Sequence, residues 1–145
     1  MWGNAFRASL SDCRGAVAIE FAAIALPLML LLGGTIEVGR YMWTQHDLQD
    51  AASTGARCLG LRVTPCFVDK TFDQLGTVGF VRQQASDWAV RIEDDAVTTE
   101  TASNCHGQSD YFARVSIRNP FTSVLAVLSD TWIEVEACFP VMSSD

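Results

Sequence analysis

From Ala16 to Ile36 the chain reads AVAIEFAAIALPLMLLLGGTI, 21 residues with a single charged side chain, Glu20. At about 1.5 Å per residue, such a helix is about 30 Å long, the thickness of a bilayer's hydrocarbon core. Backbone in lipid must close its own hydrogen bonds, so the run predicts a membrane-spanning helix around which everything else is arranged. A secretory signal also opens with charge and an apolar run. This run exceeds the roughly 7 to 15 residues of a signal core, and Glu37-Val38-Gly39-Arg40 stands where a small-residue cleavage signal would follow. Arg7 and Arg14 precede the span, and Arg40 is the one basic residue close behind it. The positive-inside bias therefore places the short N-terminal piece in the cytoplasm and the long C-terminal part outside.

Of the 145 residues, those beyond the span suffice for one small core. Asp and Glu number 17 against 10 Lys and Arg, with no basic run to track a phosphate backbone, which excludes nucleic acid as an expected partner. Cys13 precedes the span, whereas Cys58, Cys66, Cys105 and Cys138 follow it, an even set in the part expected to face an oxidising compartment. Two disulfides are expected. Four cysteines permit three pairings; the short loop after a helix favours Cys58 with Cys66, leaving Cys105 with Cys138. His106 beside Cys105 raises the question of a metal, but zinc pairs two to four residues apart are missing, so no metal and no cofactor is expected. Glu93, Asp94, Asp95 and Glu100 lack EF-hand spacing and its glycine, and His106, Ser109 and Asp110 come without a nucleophile elbow, so the chain is not expected to be an enzyme. His46 has no ligand-spaced neighbour and reads as a solvated surface histidine.

Glu20 is the informative residue of the span. A carboxylate there costs about 3 kcal/mol even on lenient scales, and so needs a partner or a purpose. In an uncut chain it lies one turn inside the membrane and reaches toward the headgroups. If the chain is cut between Gly15 and Ala16, the new ammonium at Ala16 lies four residues from Glu20 and pairs with it, or a neighbouring subunit's ammonium does.

The run Arg14-Gly15-Ala16-Val17-Ala18-Ile19-Glu20-Phe21-Ala22 resembles the processing site of type IV pilin-like proteins. Ala25-Leu26-Pro27-Leu28, Ile36-Glu37-Val38-Gly39-Arg40, Ala51-Ala52 and Gly55-Ala56-Arg57 follow in order, and together resemble the TadE-like minor pseudopilins of the tight-adherence (Flp) pilus system. The likeness covers roughly residues 14 to 60. It implies a prepilin peptidase cutting after Gly15, Glu20 guiding assembly, and partnership with other pilin or pseudopilin subunits, the inner-membrane assembly platform and membrane lipid. It further implies an inner-membrane location with the C-terminal domain in the periplasm, and possible incorporation in a surface pilus. Where the family usually has an aromatic, this chain has Cys58, which suggests a helix end braced by a disulfide. The alternative reading is an uncleaved single-span envelope protein with a disulfide-stabilised binding domain.

Within the span Pro27 removes a helical hydrogen bond, and Gly33-Gly34 offers a second soft point. Beyond it the helix is expected to continue as an amphipathic extension to about Arg57, with small residues Ala51, Ala52, Gly55 and Ala56 admitting close backbone approach. Residues 60–69 read as a loop. Val78, Val81, Ala85 and Trp88 form one stripe of a helix over Thr77 to Ala89, and Asp94-Asp95 marks a turn. Ala96 to Ala102 reads as a strand of poor alternation. Tyr111, Ala113, Val115 and Ile117 line one face of a clear strand that Asn119-Pro120 ends, Phe121, Val124, Leu125 and Leu128 space as a short helix, and Thr131 to Phe139 closes as a last strand. The expected fold is α+β and pilin-like: a long N-terminal helix, half membrane and half amphipathic, packed on a small antiparallel sheet. The expected segments are a leader 1–15, a transmembrane helix 16–36, an extension 37–59 and an outer domain 60–145.

Overall fold

A computed structural model describes residues 14–105, 108–124 and 131–142. The residues before Arg14, Cys13 among them and expected to form most of a leader, lie outside it, as do His106 and the Leu125 and Leu128 of the expected short helix.

Helix α1 runs unbroken from Arg14 to Gly60, 47 residues, straight through Pro27. A two-residue-per-strand hairpin follows, β1 (Phe67–Val68) and β2 (Thr71–Phe72), then α2 (Gln74–Asp87), a 3₁₀ turn at Asp94–Ala96, and the strands β3 (Val97–Cys105), β4 (Gln108–Phe121) and β5 (Thr131–Pro140). The three long strands form an antiparallel sheet in the order β3-β4-β5. The chain divides into two compact units, one ending at Val38 and the other beginning at Gly39. This is the expected α+β arrangement of a long N-terminal helix and a small antiparallel sheet.

In the second unit, period-two alternation on β4 and β5 builds the core. Ala113, Val115 and Ile117 are fully buried, opposite Phe139, Ala137 and Val135. The helical stripe Leu48, Ala51, Ala52, Ala56 and Leu59 of α1 joins the same core, with Val78, Val81 and Ala85 of α2. Gly55 makes that approach possible: a Cβ there would stand 2.5 Å from Val81 Cγ2 and 3.5 Å from Val115 Cγ2. The small residues 51–56 thus serve packing within the domain.

The remaining expectations are adjusted at four places. Trp88 does not extend the α2 stripe. The helix ends at Asp87, Ala89 takes φ 64°, and the N–H groups of Ala89 and Val90 donate to Ser86 O and Ala85 O, a Schellman closure with alanine where glycine is usual. Trp88 is left 53% exposed. Tyr111, 78% exposed, is likewise off the buried face of β4. Asn119-Pro120 does not end β4, which pairs with β5 as far as Phe121 opposite Thr131. Pro120 is tolerated because pairing with β3 stops at Ile117 opposite Val97, so a missing donor on that side breaks no ladder bond. Phe121 is therefore a strand residue and not the start of a helix. Lastly, the expected loop after Gly60 contains the β1–β2 hairpin, whose two linking residues, Asp69 and Lys70, both have positive φ, as a two-residue I′ turn requires.

Candidate functional site

α1 carries every residue singled out for processing and assembly. The Gly15–Ala16 peptide lies at the N-terminal end of the described part of this helix. Glu20 lies four residues past Ala16, one turn on, and its side chain is exposed. Every large apolar residue from Val17 to Val38 is exposed too; Phe21 is 73% and Leu30 62% accessible. By length and composition this is a helix fit to cross a membrane, near the N-terminus, as in a membrane-anchored protein. Among the described residues, a Cβ on Gly15 or Gly34 would meet nothing within 4 Å. Glu37, at the end of this unit, is buried.

Past Gly39 the same helix carries a different surface. Tyr41 meets Phe121 edge-on with ring centroids 5.4 Å apart, and Arg40 stacks over Phe121 at 5.6 Å. Trp43 meets Trp88 at 6.3 Å. Gln49 Nε2 donates to Glu136 O at 3.0 Å, tying α1 to β5. Asp47 is 9% exposed, and its Oδ2 has no hydrogen-bond partner. Burial raises its carboxyl above the usual 3.8; His46 opposes the shift and Asp50 adds to it. His46 itself is exposed.

Two disulfides brace the second unit. Cys58 bonds Cys66, with Cα atoms 6.0 Å apart, closing the turn after α1, and Cys105 bonds Cys138 at 6.4 Å, joining the ends of β3 and β5. The donor atoms of Cys105, Glu136 and Cys138 lie within 4.8 Å of one another, but the sulfur–sulfur bond occupies the thiolates that a metal would need. The acidic residues are tied to arginines: Arg82 pairs with Asp94 and donates from Nε to Ile92 O, and Arg114 Nε stands 3.4 Å from Glu136 Oε1 and 3.9 Å from Glu100 Oε2. Asp94 and Glu100, two of the four acids weighed as a cation site, are thus held by different arginines.

Sequence reasoning missed the Trp43–Trp88 contact, the Arg114 bracket and the burial of Asp47. Asp47 carried a signal, since it lies beside Leu48, on the apolar stripe of the helix. Arg114 carried none, because its partners come from two other strands. Asp73, the N-cap of α2 through Oδ1 accepting from Gly76 N at 3.0 Å, was legible as an acid just ahead of an apolar stripe.

Residues 15–57 match the family model described as TadE-like protein, in keeping with the resemblance read along residues 14 to 60. The match covers less than a third of the chain and falls almost wholly on α1. No curated protein and no solved structure matches.

Proposed function

We propose that the chain is a minor pilin-like subunit of a tight-adherence pilus. It is inserted in the inner membrane through α1, cut between Gly15 and Ala16 by a prepilin peptidase, and assembled with other pilin or pseudopilin subunits on the inner-membrane platform. Residues 1–15 are then a leader, 16–36 the span, 37–59 its extension, and 60–145 a domain in the periplasm. The observation that carries this reading is the TadE-like match, which begins at Gly15, just ahead of a helical stretch whose large apolar residues from Val17 to Val38 are all exposed.

Three physical points support it. Glycine at 15 costs a helix about 1 kcal/mol relative to alanine and meets no tight neighbour among the described residues, which suits a demand from outside the chain, such as a peptidase needing a residue without a Cβ. Cleavage creates an ammonium one turn from Glu20, neutralising a carboxylate that lipid penalises by about 3 kcal/mol. When subunits gather, the ammonium of one serves the Glu20 of the next and sets their register. Pro27 and Gly33-Gly34 supply soft points for a helix that leaves the bilayer.

Mass spectrometry of mature protein is the test, and it is expected to find Ala16 at the N-terminus. A mature N-terminus elsewhere, or normal processing of Gly15→Leu, sinks the proposal. Glu20→Gln is expected to spare cleavage and abolish fibres. Protein that stays in the membrane fraction uncut, while filaments shear off without it, favours the single-span envelope protein instead.

A further inference from the structure

We infer that the end of the second unit around Trp43 and Trp88 sits in the headgroup layer of the bilayer that α1 crosses, so that the domain rests on the membrane and is not merely tethered to it. The inference depends on α1 spanning the membrane and adds the lipid contact of a surface outside the span.

Trp43 and Trp88 are 60% and 53% exposed although each touches the other. With Gly39, Thr44 and Val90 they line a shallow depression, and Met42 beside them is 57% exposed. Two exposed indoles and a methionine in water are a cost that a headgroup layer removes, because it takes the ring face in apolar surroundings and leaves the indole N–H wet.

Connectivity chooses this occupant over another protein. Trp43 follows Ile36, the last residue of the apolar run, by seven positions, about 10 Å of helix. Helical side chains lean toward the N-terminus, which brings the indole back toward the level of Gly39–Arg40. Headgroups add roughly 5 to 7 Å to each side of the hydrocarbon core. Whatever direction the chain takes after Val38, residues that touch Trp43 stay within reach of that layer. The strand end that meets Tyr41 carries a matching pair, Trp132, 57% exposed, under the Arg118 guanidinium at 4.7 Å.

The full chain in nanodiscs of mixed zwitterionic and anionic phospholipid provides the test, in versions that keep one indole each, the other tryptophans being replaced by Phe. A third version lacks the four native tryptophans and carries Leu30→Trp as a reporter of the span. Lipids brominated near the chain terminus are expected to quench the Leu30→Trp reporter, and lipids brominated near the glycerol to quench Trp43 and Trp88, both also shielded from iodide. If the Leu30→Trp reporter is quenched while Trp43 and Trp88 stay iodide-accessible and unquenched, the lipid contact is overturned and the anchor survives. If the Leu30→Trp reporter is itself unquenched, the spanning helix falls and the inference with it. Shielding from iodide that grows with protein per disc, without bromine quenching, overturns the inference in favour of a subunit contact.

Discussion

One helix, α1, meets two environments. From Val17 to Val38 its large apolar side chains are all exposed, whereas Leu48, Ala52 and Leu59 are at most 2% accessible. The difference is not one of secondary structure, since a single run of hydrogen bonds covers both stretches. The outer stretch spaces its apolar and small residues as one stripe and spends that stripe on the sheet and α2. The inner stretch is apolar all round, and no single packed face can use such a surface. A surface of that kind and size calls for a partner that surrounds it, which lipid and like helices do.

The largest effect that tests this contrast comes from paired truncations. Leu48→Ala is expected to cost the domain about 2 to 5 kcal/mol, and Leu30→Ala close to nothing, in urea unfolding followed in detergent. Equal costs would show that the inner stretch also packs on protein. Next come the disulfides, all on the outer side. By loop entropy, Cys105–Cys138, closing 33 residues, is expected to contribute about 3.7 kcal/mol, and Cys58–Cys66, closing eight, about 2.5. Paired Cys→Ser variants measured by the same unfolding rank them. A reversed order would mean that bracing the end of α1 outweighs joining the sheet edges.

A smaller contrast lies in the glycines. Gly55→Val drives its Cβ against Val81 and is expected to cost about 1 to 3 kcal/mol, while Gly34→Val, with open space around it, is expected to leave the unfolding midpoint unmoved.

Legibility followed the same division. The inner stretch was readable because twenty-one residues with one charge admit few structures, and β4 and β5 because alternation survives wherever register is regular. β3 was hard to read for a physical reason: register shifts between Glu100 and Ser103 and again before Cys105 interrupt its period of two. The β1–β2 hairpin was invisible because its turn uses Asp69 and Lys70 where Asn-Gly would announce one. The end of α2 hid behind Ala89, an alanine doing a glycine's work. At the candidate site, Gly15, Glu20 and Pro27 stood out by type and spacing alone, whereas the Trp43–Trp88 contact needed three dimensions, its members lying 45 positions apart.

The finest comparison sets two carboxylates of α1, Glu20 and Asp47, side by side. Glu20 lies exposed on the bare stretch; Asp47 is buried on the packed stretch, with one oxygen unpartnered and burial raising its pKa. A carboxyl held above its unfolded value binds more protons folded than unfolded, so between 3.8 and the raised value it makes stability fall as pH climbs, and above that window the loss is constant. Asp47→Asn removes this contribution. The variant is therefore expected to match the parent at low pH and to exceed it at neutral pH, by less than any loss predicted above, in unfolding midpoints measured across that range. An Asn variant less stable than the parent at neutral pH would mean that Asp47 holds its charge through a partner, and the contrast between the two acids would close.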